Sequence, residues 1–350
     1  MSVPAVDFGR RQCVLRVGTV AVRASLRAVC VVSALSIGAL VLAVIAIGFG
    51  KYHVAPWDVL AVLTGANTSF DRVVVLDWRM SRMLMALLVG AAFGVSGAIF
   101  QALTRNALGS PDIIGINVGA YTGALAIMVT VGGGYYAIAG GALAGGLVTA
   151  MVVYALSYRN GLAGYRLIVV GIGVSAVLNS VNQWIVIKLD HRAAVTAVVW
   201  QQGSLSGMSW SQVVPMAACL AVLAAALLAL GPQLPVLQLG DDAAGALGVH
   251  PDRARIGYLV VGVGMVALAC AAAGPIAFIA LAAPQLARRL TASPGVALVP
   301  AAAMGAVLLL VCDVIAQRLF GDNEIPVGPV TVSLGGSYLI YLLITQARRR

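Results

Sequence analysis

Apolar stretches near 28–50, 81–104, 113–131, 135–157, 165–187, 211–230, 254–273, 276–291, 297–319 and 329–346 follow one another with only short connections between them. A helix needs about 20 predominantly apolar residues to cross a bilayer core. Only helices and closed barrels satisfy their backbone polar groups in lipid, and the runs are too long and too continuous for barrel strands. The chain is therefore expected to be an all-α, polytopic membrane protein with about ten transmembrane helices. Its 61% hydrophobic and 10% charged residues agree, since soluble domains carry about 25% charged residues. No soluble domain is left over. Residues 1–27 read as a basic cytoplasmic segment and 28–350 as a single transmembrane domain.

Arg10, Arg11, Arg16, Arg23 and Arg27 precede the first apolar run, Ala28 to Gly48. That run is longer than the core of a cleaved leader, so it is expected to stay as a first span with its basic side inside. On the ten-span arrangement 15 of the 22 basic residues fall inside and seven outside, and both termini are cytoplasmic. This is the bias of a membrane protein, and the net charge of +10 needs no nucleic-acid partner. The five cysteines, Cys13, Cys30, Cys219, Cys270 and Cys312, are scattered with no C-x-x-C, so neither a disulfide nor a metal site is expected.

Small residues recur at helical spacing in Gly90 and Gly94, Gly119 and Gly123, and Gly141 and Gly145. In lipid such residues permit close backbone approach and mark packing seams. Ser110-Pro111, Gly274-Pro275 and Pro326-Val-Gly-Pro329 predict broken or re-entrant helices. Irregular backbone at that depth is tolerated only where it is buried or lines a cavity, which favours a transporter. Longer hydrophilic connections are expected outside at 51–80 and 188–210 and inside at 231–253.

Catalysis finds no support. His53, His191 and His250 all lie in connections without clustered carboxylates. GFGKY at 48–52 fails as a phosphate loop, because it lacks the earlier glycine and the Ser or Thr after Lys51. Any ATP use then needs another polypeptide. Asp313 is the one acid inside a predicted span, expected either to serve function or to pair with a helix end or with Arg318. Asn179, Asn182 and Gln183 share a face of the fifth span, pointing into the bundle or into a water-filled path. LGDDAAGALGVHPDRAR at 239–255 reads as a short helix capped by Asp241-Asp242, or as a plain capped loop. Arg79, Arg82 and Arg318 sit at outer span ends, against the orientation bias.

These strings resemble the permease subunits of the bacterial ABC importers for iron-siderophores, haem and cobalamin. The resemblance is carried by Arg79-x-x-Arg82 before a glycine-rich span, by QALTRNALGSPDIIG at 101–115 and by WQQGSLSG at 200–207. LGDDAAGALGV at 239–249, GPIAFIALAAPQLARRL at 274–290 and PVGPVTVSLGGSYLIYLL at 326–343 complete it. It spans roughly residues 30–346. The resemblance implies an inverted-repeat fold whose two halves have opposite orientation. It also implies a path between two permease subunits, the second a non-identical homologue, with two ATPases inside carrying ATP and Mg and a substrate-binding protein docking outside. Arg79, Arg82 and Arg318 match the docking arginines. Leu239, Gly240, Asp241, Asp242, Ala243, Ala244, Leu247 and Gly248 match the segment that couples to the ATPase. Ala107, Gln285 and Gly335-Gly336-Ser337-Tyr338 depart from the commoner family pattern. The wording of 110–117 leans toward ferric-siderophore members of the cytoplasmic membrane, with cobalamin or haem as the alternative cargo. An ion-coupled secondary carrier is the rival of a different class; it would need several intramembrane ionisable groups.

Overall fold

The computed structural model describes residues 12–17, 20–48, 52, 54–65, 70–158, 164–293, 295–319 and 324–347. Arg10, Arg11, Lys51, His53, Arg159 and Arg348 to Arg350, which enter the orientation argument or the search for chemistry, lie outside the described residues. The chain opens on an antiparallel ribbon, β1 (Gln12–Val17) and β2 (Val20–Ser25), pairing Gln12 with Ser25 through Val17 with Val20. No strand was expected in the basic lead, and the ribbon is an addition to an otherwise helical architecture.

The helices are α1 (Leu26–Gly48), α2 (Pro56–Leu63) and α3 (Phe70–Arg72), the last running through a π-helical stretch, Val73–Met80, into α4 (Ser81–Thr104). Then come α5 (Ile116–Thr130), α6 (Tyr135–Ser157), α7 (Gly164–Lys188), α8 (His191–Gln201) and α9 (Trp210–Ala229). After a 3-10 turn at Gly231–Gln233 follow α10 (Leu234–Gln238), α11 (Asp241–Ala246), α12 (Pro251–Ala273), α13 (Ile279–Thr291), α14 (Leu298–Arg318) and α15 (Val327–Ala347). The ten expected spans correspond to α1, α4, α5, α6, α7, α9, α12, α13, α14 and α15. Seven of the described helices are long and apolar enough to cross a membrane by length and composition.

Helices α4 and α12 form the centre and bury most of their residues, including Met85, Phe93, Ile99, Phe100, Met265 and Val266. The Ser96 hydroxyl donates to Gly262 O at 2.7 Å and fastens the two together. Helices α1, α7 and α9 leave broad apolar faces outward. The glycine seams form as the spacing predicts. Gly90 and Gly94 lie against Gly305 and Ala301 of α14, and Gly123 lies against Gly141 and Gly145 of α6, with no room for a methyl group at either contact. Such close approach replaces the hydrophobic drive that lipid removes.

Two crossings are incomplete as helices. At 1.5 Å per residue, α5 spans about 22 Å and α13 about 20 Å, short of a hydrocarbon core of about 30 Å. Each is preceded by irregular chain, residues 105–115 before α5 and 274–278 before α13. They are the third and eighth of the ten expected spans, equivalent places in the inverted repeat that the resemblance implies.

Candidate functional site

Three regions bear on function: an arginine cleft at one end, a junction in the middle and a braced segment at the opposite end. The cleft, of about 270 Å³, is lined by Tyr52, Trp78, Arg79, Arg82, Gln317 and Glu324 among others. Of Arg79, Arg82 and Arg318, expected together at outer span ends, only Arg318 is exposed, while Arg79 and Arg82 are half-buried. Arg79 donates through both terminal nitrogens to Ile47 O and Tyr52 O. Arg318 donates to Ile45 O at 3.3 Å. Two arginines thus cover carbonyls in the last turn of α1, where helical partners run out and the helix dipole is negative.

Arg82 turns inward. Its Nε and Nη2 donate to Asp313 at 3.0–3.2 Å, and its Nη1 to Glu324 Oε2 at 2.8 Å. Asp313 is therefore paired with Arg82, not with Arg318, and Gln317 Nε2 adds a 2.7 Å hydrogen bond. The Asp313 side chain is 2% exposed, and a carboxylate so placed needs an ion partner. At the rim, the Tyr52 phenol hydrogen-bonds to Asp71, which pushes its pKa above the ordinary tyrosine value. Tyr52 thus adds no charge to the cleft at neutral pH.

In the middle, the two irregular segments touch. Asp112 accepts the Phe278 N–H at 3.2 Å and the Asn117 amide at 2.6 Å. Asn117 in turn accepts from the Cys270 thiol at 3.1 Å. Phe278 has φ 70°, the left-handed region that a bulky residue enters only when its surroundings impose it. Its side chain lies against Gly335 of α15, where a Cβ has no space. A recess of about 240 Å³ opens here, lined by Asp112, Asn117, Tyr121, Gln201, Gln202 and Pro275 among others. Sequence reading missed this junction by one residue, because starting the third span at 113 excluded Asp112 from the count of intramembrane acids.

The face expected on α7 divides in the structure. Asn182 is buried and neither amide atom has a partner, Asn179 is half-buried, and Gln183 is exposed. The three do not share one environment, because α7 packs only part of its surface on α5 and α6.

At the opposite end, α10 and α11 form the segment between α9 and α12. The cap of α11 is Gly240 at φ 116°, a backbone only glycine adopts freely, and not Asp241-Asp242. Asp241 instead bridges two arginines. It accepts from Arg255 Nη1 at 3.0 Å and from Arg105 Nη2 at 3.4 Å, while Arg105 also donates to Leu237 O at 2.9 Å. Asp242, Leu239, Leu247 and Gly248 are exposed, Ala243 is half-buried and Ala244 is buried. The two exposed leucines, at 67% and 63%, stand on a segment pinned to the ends of α4 and α12. Among the described residues no cluster of His, Cys, Asp and Glu is placed to hold a metal ion.

The comparisons with known proteins cover nearly the whole fold. The chain is 47% identical over 293 residues to the ferric enterobactin transport system permease protein of Escherichia coli, covering 84% of this chain and 89% of that one. It is 36% identical to the iron(3+)-hydroxamate import system permease protein of Bacillus subtilis, covering 86% and 92%. A structure described as an inward-facing conformation of a metal-chelate type ABC transporter superposes with a TM-score of 0.80 at 25% identity, covering 90% of this chain and 99% of that one. The pattern of the FecCD transport family matches residues 38–345. Fold and sequence agree, and the chain belongs to the FecCD transport family.

Proposed function

We propose that the chain is the permease subunit of an ATP-driven ABC importer that moves a ferric siderophore chelate across the bacterial cytoplasmic membrane by alternating access. The observation that carries this reading is the braced segment: exposed Leu239 and Leu247 on α10–α11, tied through Asp241 to Arg105 and Arg255. A chain without a nucleotide motif that presents such a segment is built to receive work done elsewhere. ATP and Mg belong to two partner ATPases docked on this cytoplasmic side, which also holds both termini. A second, non-identical permease completes the path, with Asn179 and Gln183 on its wall. Outside, a substrate-binding protein seats on the end that carries Arg79, Arg82 and Arg318. The cargo follows from relatives named for enterobactin and hydroxamate iron. Iron wrapped in a chelator needs no metal ligands along the way.

The test is reconstitution of both permeases and the ATPase in vesicles with the binding protein. Labelled ferric chelate should enter only with ATP, and cobalamin and haem should not. Replacing Gly240–Leu247 by a flexible Gly/Ser linker should leave the complex assembled but abolish uptake and its coupled ATP hydrolysis. Coupled hydrolysis that survives the linker removes the assignment of this segment.

A further inference from the structure

Resting on the docking reading above, we propose that Glu324 is an internal occupant of the partner's seat. It is a carboxylate that the substrate-binding protein must displace from Arg82 as it docks. Arg82 has two carboxylate neighbours of unlike character. Asp313 takes Nε and Nη2, is 2% exposed and is held again by Gln317. No incoming group reaches it, and parting it from Arg82 would strand a buried charge. Glu324 takes only Nη1, is 39% exposed and stands on the non-helical residues before α15. Asp313 therefore fixes the guanidinium, and Glu324 covers its one outward edge. An incoming carboxylate that replaces Glu324 makes the same hydrogen bond on a cation already held in place, so the exchange is close to balanced. The other two arginines offer less. Arg79 spends both terminal nitrogens on backbone carbonyls, and Arg318 reaches toward α1.

Displacement frees more than a side chain. Glu324 also accepts from the Ser206 hydroxyl at 3.1 Å, so it joins the turn after α8 to the entrance of α15. That turn leads to the middle junction. Ser204 N donates to Ala273 O at 2.8 Å, Gly203 lies on Pro275, and Gly328 of α15 lies on Gln202. Releasing Glu324 thus loosens, by a run of direct contacts, the elements that frame the break at 274–278. The partner is recognised by chemistry alone: an acidic group on its docking face, presented to Arg82.

The experiment uses the complete importer in nanodiscs and its binding protein, with association and affinity measured at low and high salt. Glu324→Gln should raise the association rate at low salt by about two- to fivefold and tighten Kd by a similar factor, the range a rim ion pair supports. It should also steepen the salt dependence. Ser206→Ala should move both in the same direction by less, and supplies the test if Glu324→Gln assembles poorly. Unchanged or weaker binding in both variants overturns the proposal. Reversal of Arg79 and Arg318 to Glu, combined with Arg82→Leu and Asp313→Leu so that the buried pair is removed as a unit, separates the two failures in complex that still assembles. If it abolishes binding while Glu324→Gln does not tighten it, only the displacement idea falls. If it leaves binding intact, the docking face is elsewhere and both fall.

Discussion

The Asp112 carboxylate receives the amide hydrogen of Phe278, 166 residues further along the chain, at 3.2 Å. One broken crossing thus supplies the acceptor that the other lacks, and irregular backbone at membrane depth must find such an acceptor somewhere. Asp112→Leu removes it and also strands the Asn117 amide. The expected loss is about 1–3 kcal/mol, read as a lower thermal midpoint of the purified complex and reduced uptake. Asp112→Asn keeps an oxygen for Phe278 and should fall well short of that loss. Equal stability of the leucine variant and the wild type would contradict this role.

The Arg82–Asp313 pair predicts a strongly non-additive cycle. Arg82→Leu leaves a buried carboxylate without its cation, a change that costs about 3–5 kcal/mol. Combining it with Asp313→Leu removes both charges and should recover much of the stability. Additive losses in a double-mutant cycle, measured by denaturation of the purified complex, would show that the two groups do not depend on each other.

The glycine seams separate positions that look alike in sequence. Gly305→Val places a side chain into the Gly90 carbonyl, and folded protein should fall sharply. Gly140→Ala meets nothing within 4 Å and should be neutral or slightly stabilising. Recovery of folded protein from membranes decides between them.

On α7, Asn182→Leu should be neutral or stabilising in this subunit, because it removes two buried polar atoms that have no partner. Asn179→Leu and Gln183→Leu should lower uptake while leaving the amount of complex unchanged. Loss of complex with either would assign these residues to helix packing.

Much of the architecture is legible in the chain because span length is set by the bilayer. The span read at 81–104 coincides with α4, and that read at 135–157 with α6. What escapes is long-range pairing. Arg318 is the near neighbour of Asp313 in sequence, yet the ion pair forms with Arg82, 231 residues away, because α4 and α14 approach closely where Gly90 meets Gly305 and Gly94 meets Ala301. The α10–α11 segment was readable as a short helix, but its cap was not. Asp241 has the composition of a cap and is drawn off by Arg105 and Arg255, neither of which is local to it. The ribbon β1–β2 lies in a stretch dominated by its arginines, whose charge masks the alternation of valines.

The seam between α4 and α14 also limits how the protein can move. Where Gly90 rests on Gly305 and Gly97 rests on Ala280 of α13, backbone meets backbone with nothing compressible between. Sliding either helix by a residue would drive a side chain into a carbonyl. These three helices therefore travel as one plank, and the give in the molecule lies in its outer helices and in the unwound joints at 105–115 and 274–278.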